Sequence, residues 1–190
     1  MAFGRGNERN RGGDDKFQMD FIVLIGFIIM ALATFFQIAG LASDHWVDTV
    51  TEDYGTVGYN GLWHTCTNFG LTKDSCRGFQ WTDPQVSHWF RTVQTFEVIG
   101  FIFGSVAFFM MILYHFVGTC RENRNLKIMS IVQLFLAFLF IIIGCIVIGA
   151  LKDTQKAFQI DSETFLSWGF GVSVTASLLY LASCVAVFIS

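Results

Sequence analysis

The chain has 190 residues, of which 53% are hydrophobic and only 14% charged, with a net charge of −3 and a mean hydropathy of +0.53. A soluble domain carries about a quarter charged residues, so these proportions exclude an ordinary water-soluble globule, and the small net charge gives no basis for binding nucleic acid. A single proline suits long helices, because proline inside a helix removes a hydrogen bond and clashes with the preceding turn.

Residues 1–20 are rich in Gly, Arg and Asn and poor in apolar side chains, which predicts a disordered cytosolic tail. Four charge-free windows follow, at residues 21–43, 98–117, 128–151 and 164–190. A helix rises ~1.5 Å per residue, so ~20 residues cross a ~30 Å hydrocarbon core, and every window reaches that length. Helices are the expected form because each satisfies its own backbone hydrogen bonds where water is absent. The first window follows Arg5, Arg9, Arg11 and Lys16, and Gly40-Leu41-Ala42 resembles a cleavage site. A signal-peptide core spans only ~7–15 residues, so the window is read as a retained span.

Lys and Arg gather in short cytoplasmic segments. Arg121, Arg124 and Lys127 crowd the connection 118–127, whereas Lys73, Arg77, Arg91, Lys152 and Lys156 are spread over the other two connections. This places both termini and 118–127 in the cytosol, and the loops 44–97 and 152–163 outside. The longer loop has Tyr, Thr, Val and Trp at strand-like spacing, broken by Gly55, Gly58, Asn60-Gly61 and Gly70, which predicts short strands with tight turns. A sheet of about 50 residues is marginal alone and needs a covalent tie and the helix ends beneath it. The expected fold is an all-α transmembrane four-helix bundle with a small extracellular antiparallel β-sheet.

Within the spans, Gly100 and Gly104, Gly144 and Gly149, and Gly169, Ser173 and Ser177 recur at helical spacing. Small residues let backbones approach where lipid removes the hydrophobic driving force. They are expected to seal the chain's own bundle, with self-association as the alternative. Gln37 and Gln133 are expected to hydrogen-bond between helices, and Cys145 and Cys184 to act as small packing residues. Glu97, near Arg91 at the rim of the second window, is expected to be a solvated interfacial charge, because a buried carboxylate is costly in a membrane. Cys120, beside Arg121, is a candidate for palmitoylation.

The residues Trp46, Gly61-Leu62-Trp63, Cys66 and Cys76, followed by Arg91 before the second window, form a W…G-L-W-x-x-C…C pattern in the first outer loop of a four-span chain. This resembles the claudin superfamily, which includes the claudins, the peripheral and epithelial myelin-type proteins, and the auxiliary gamma-type subunits of channels and receptors. The resemblance implies a disulfide between Cys66 and Cys76, consistent with an oxidising exterior and worth roughly 3 kcal/mol by loop entropy. It also implies that Trp46 and Trp63 anchor the sheet to the bundle; tryptophan's interfacial preference predicts half-buried rings with wet N–H groups. A Cys/His zinc site using His45, His64 or His88 is the alternative for the cysteines, disfavoured by the compartment and the lack of a Cys-x-x-Cys pair, so no metal or cofactor is expected.

No catalytic motif is present, and no enzyme is expected. The resemblance implies a tetraspan protein of plasma-membrane cell–cell junctions that forms or regulates a paracellular barrier or pore and adhesion. Its partners would be the lipid bilayer and itself or related tetraspan proteins, in cis and in trans. The alternative is an auxiliary subunit modulating an ion channel or receptor; a third branch, the myelin-type organisers, usually carries an N-x-[S/T] site that the first loop lacks. The last window runs to Ser190, so no scaffold-binding tail is expected, unlike in typical claudins. The second loop offers Phe158 as a trans-contact residue but lacks the usual aromatic-proline motif. In the first loop Asp44, Asp48, Glu52, Asp53, Asp74 and Asp83 oppose Lys73, Arg77 and Arg91. Acidic residues there favour cations while Arg77, next to the second cysteine, points the other way, so no ion preference is assigned.

Overall fold

A computed structural model describes residues 6–51, 55–67, 75–79, 86–117, 124–151 and 162–189. Four helices, α1 (Gly6–Ala42), α2 (His88–Phe116), α3 (Arg124–Leu151) and α4 (Trp168–Ile189), alternate with two groups of strands. Strands β1 (Val47–Thr51), β2 (Gly55–Asn60), β3 (His64–Thr67) and β4 (Ser75–Gly78) lie between α1 and α2, and β5 (Ser162–Leu166) lies between α3 and α4.

All four helices are long and apolar enough to cross a membrane. Their packing is inverted relative to a soluble bundle. Large apolar side chains face outward, with Phe35 65%, Phe109 64% and Phe188 71% exposed. Polar side chains face inward: Gln37, Glu97, Ser130, Ser173, Ser177 and Ser183 are fully buried. Water would drive the phenylalanines inside, whereas lipid accepts them outside and leaves the polar groups to pair with one another. The chain is therefore a tetraspan membrane protein.

The bundle closes on small residues and on one long aromatic. Along the α1–α4 seam, Ser183 Oγ donates to the Gly26 carbonyl at 2.8 Å, and Gly40 packs against Ser173. A methyl at Gly100 would meet the Ile141 side chain, and one at Gly104 would meet the Tyr180 ring. Gly100, Gly104, Ser173 and Ser177 thus face the chain's own interior. Gly149 has nothing within 4 Å of its Cβ direction, so it plays no part in that closure.

The structure corrects several boundaries. The stretch expected to be disordered is helical from Gly6 onward, because adding residues to an existing long helix costs far less than nucleating one. α2 begins at His88 rather than near residue 98; its polar first turns rise beside the sheet. The window starting at Thr164 is not all helix: Ser162–Leu166 is strand, and α4 starts at Trp168. Phe165 and Leu166 are apolar but exposed on a strand, so hydropathy merges them with the helix that follows.

The sheet is antiparallel throughout, in the order β4-β3-β2-β1-β5. Val47 pairs with Asn60 on one side and Leu166 on the other. A bulge between Thr49 and Val50 interrupts the β1–β2 ladder. The short second connection thus completes the sheet begun by the long first one, and both lie at the same end of the bundle.

Candidate functional site

The sheet meets the bundle where α1 ends, and that meeting point is built on the carbonyls of the helix's last turn. The last four C=O groups of any helix lack intrahelical partners, and α1 has no basic residue in its last turn to meet them. Two indoles take that role. Trp46 Nε1 donates to the Gly40 carbonyl at 2.8 Å, and Trp63 Nε1 donates to the Leu41 carbonyl at 2.7 Å. The expectation of wet indole N–H groups is corrected: both are spent on backbone. Trp46 is fully buried and Trp63 only 36% exposed. Trp46 also extends the ladder through its own backbone, with its N–H donating to Asn60 O at 2.8 Å and its carbonyl accepting from Ser167 N–H at 3.0 Å.

Gly61 lies where the chain passes closest to the end of α1. A Cβ there would stand 2.6 Å from Asp44 Cα and from Ser43 O, so only glycine fits this close approach. Leu62 is fully buried, and its carbonyl accepts from Gln94 Nε2 on α2. The three consecutive residues Gly61, Leu62 and Trp63 therefore supply a backbone crossing, a tie to α2 and a tie to α1. Further out, Cys66 and Cys76 face each other across β3 and β4 and are joined by a disulfide, with Cα atoms 4.1 Å apart.

A third fastening runs through α4. The Gly169 N–H donates to His45 O at 2.8 Å, and a Cβ at Gly169 would collide with Ser43 and His45. His45 Nδ1 lies 3.1 Å from Asp48 Oδ1, and its ring stacks on Tyr59 with centroids 4.2 Å apart. Asp48 Oδ2 accepts from Ser167 Oγ at 2.7 Å, which ties β1 to the residue after β5. His64 pairs with Asp44 at 3.3 Å.

A match to the family model described as PMP-22/EMP/MP20/Claudin covers residues 20–189. The chain belongs to this PMP-22/EMP/MP20/Claudin family. The resemblance carried by the first-loop residues leads to the same family. No curated individual protein matches the chain.

Within this member of the PMP-22/EMP/MP20/Claudin family, the structure gathers Trp46, Gly61, Leu62 and Trp63 at one junction. Arg91 sits on the first turn of α2 at the same end, its N–H donating to Ser87 O at 3.3 Å and its carbonyl accepting from Thr95 Oγ1 at 2.8 Å. Cys120 and Phe158 fall outside the described residues, as do Glu52, Asp53, Lys73, Asp74 and Asp83. Among the described residues no group of three His, Cys, Asp or Glu side chains is placed to hold a metal ion, and the Cys66 and Cys76 sulfurs bond to each other.

The expectation of a solvated Glu97 is overturned. It is fully buried, with Oε2 accepting from Gln37 Nε2 and from Ser173 Oγ, both at 2.8 Å. Cys145 Sγ donates to Oε1 at 3.6 Å, so Cys145 is a polar partner as well as a packing residue. Gln37 makes the inter-helix bond expected of it, but Gln133 Oε1 has no hydrogen-bond partner among the described residues. Sequence reasoning also missed Gln94, Asp48 and Ser167. A usable cue existed for the buried cluster: Gln37, Glu97 and Ser173 all lie near the same end of their windows, and polar groups at one membrane depth seek one another.

Proposed function

We propose that the chain is a claudin-like tetraspan of the plasma membrane, with its termini in the cytosol and its sheet outside the cell. There it forms or regulates a paracellular barrier or pore at cell–cell junctions. The observation that carries this reading is the seating of a disulfide-stapled sheet on three helices, with β4 and β5 as its two edges among the described residues. β4 is exposed at every residue, and β5 forms the other edge with Phe165 half-exposed. Edge strands of this kind are surfaces for side-by-side association. The family membership, the four spans and the positive-inside distribution support the same orientation. Phe158 in trans contact and a lipidated Cys120 belong to this proposal.

Expression in cells that lack junctions tests it. Enrichment in strands at cell contacts, with altered transepithelial conductance, supports the junction reading. Uniform surface staining with co-purification of a channel or receptor supports the auxiliary-subunit reading instead. Labelling of Lys73 by an impermeant reagent only after permeabilisation would overturn the orientation.

A further inference from the structure

All four helices contribute to one polar cluster at the sheet end of the bundle: Gln37 from α1, Glu97 from α2, Cys145 from α3 and Ser173 from α4. Gln37, Glu97 and Ser173 are fully buried and Cys145 is 2% exposed. Gly144 makes the room, since a Cβ there would lie 2.9 Å from Glu97 Oε1. Among the described residues, every hydrogen-bond partner of the carboxyl group is electrically neutral. A buried carboxylate without a cation is strongly disfavoured, and such a group sheds its charge by holding a proton.

The position of the cluster is as informative as its composition. Gln37 lies one turn before Gly40 and Leu41, whose carbonyls hold Trp46 and Trp63. Glu97 lies one turn after Gln94, which holds the Leu62 carbonyl. Ser173 lies one turn after Gly169, which holds the His45 carbonyl. Each of these three arms is thus one turn, about 5.4 Å, from a point where the sheet is fastened.

The geometry points to Glu97 as a proton-binding residue whose bound proton latches the sheet to the bundle. With the proton in place, the neutral carboxyl group is held by Gln37, Ser173 and Cys145, and α1, α2 and α4 stay in register at the sheet end. When the proton leaves to water, an anion remains among neutral groups. It is stabilised only by admitting water between the helices, which separates Gly40, Leu41, Gln94 and Gly169 from the groups they hold. Among the described residues, the other titratable groups nearby are few. α1 and α4 present only Gln37 and Ser173 to the carboxyl, α3 presents Cys145, and on α2 itself Arg91 lies nearly two turns away toward the sheet. On the sheet side, His45 and His64 face Asp48 and Asp44.

The test uses the full-length protein in lipid nanodiscs, with carbon-13-labelled glutamate for infrared spectroscopy and amide deuterium exchange across pH. The expected result is a protonated-glutamate carbonyl band at neutral pH that is absent from Glu97→Gln. In the wild type that band disappears at alkaline pH, together with a drop of at least ~10-fold in protection of the Trp46, Ser167 and Gly169 amides. Glu97→Gln, with a neutral amide in the same space, keeps these amides protected throughout. Cys145→Ser retains the pH response, which separates Glu97 from the thiol. An ionised glutamate alone at neutral pH, or an undiminished alkaline response in Glu97→Gln, overturns the proposal. If Glu97→Gln does not fold, the wild type decides: one shared midpoint for band and protection supports the latch, and separate midpoints overturn it.

Discussion

Trp46 hangs from the end of α1 by its indole, which donates to the carbonyl of Gly40 six residues earlier. The same carbonyl also accepts from Ser43 N–H at 3.2 Å. The side chain therefore does what a C-terminal cap does, while its ring fills the space between sheet and bundle and meets Phe170 edge-on. Trp63 repeats the device one carbonyl further along, at Leu41, from a more exposed position.

Replacing Trp46 by Phe removes the donor and keeps most of the ring. The expected loss is about 0.5–1.5 kcal/mol, the net worth of one hydrogen bond, because the Gly40 carbonyl keeps its bond from Ser43 N–H. Trp46→Ala adds a cavity and should cost about 3–5 kcal/mol. Trp63→Phe should cost less than Trp46→Phe, because water reaches the Leu41 site. Thermal unfolding of the purified variants in one detergent gives the order, and a Trp63→Phe variant less stable than Trp46→Phe would contradict it.

The Cys66–Cys76 bond closes a short loop between the antiparallel strands β3 and β4, joining a buried Cys66 to an exposed strand. Its removal should cost roughly 3 kcal/mol through loop entropy. In a sheet that is marginal alone, that loss should leave Cys66→Ser and Trp63→Ala largely retained inside the cell. Impermeant surface labelling measures delivery, and normal delivery of both variants would show that the ectodomain folds without these ties.

The four spans were readable because hydropathy is a property of a continuous run and needs no knowledge of partners. The anchoring residues of the first loop were readable as a group through their family pattern, although their hydrogen bonds were not. Trp46 looks interfacial by residue type, yet the carbonyls of the last turn of α1 draw its N–H inward. Glu97 reads as solvated from the sequence for a related reason. Its local neighbours are a span rim and Arg91, whereas its actual partners, Gln37, Cys145 and Ser173, come from three other helices. β5 was hidden because Phe165 and Leu166 are apolar and adjoin Trp168; only pairing with β1 distinguishes them from helix.

Two glycines give a controlled comparison. Gly61→Ala places a methyl against the backbone of Ser43 and Asp44, and backbone cannot move aside as a flexible side chain does. Gly149→Ala places one in open space within α3, where alanine is favoured over glycine by about 0.5–1 kcal/mol. Gly61→Ala should therefore lower the unfolding temperature and Gly149→Ala should leave it unchanged or raise it. Equal effects would refute the close approach.

Gln94 is the side chain by which α2 reaches the first-loop motif, through the Leu62 carbonyl. Gln94→Leu keeps the apolar volume but leaves that buried carbonyl without its donor, for an expected loss of about 1–3 kcal/mol. Gln94→Glu should be worse. Its carboxylate, when ionised, faces the Leu62 carbonyl oxygen, so repulsion between two acceptors is added to the lost bond. The difference should be local at first: deuterium exchange should rise at Gly61, whose N–H donates to His64 O, before it rises in the middle of α3. Equal exchange at both places would mean that Gln94 stabilises the bundle as a whole and is not a specific tie between α2 and the sheet.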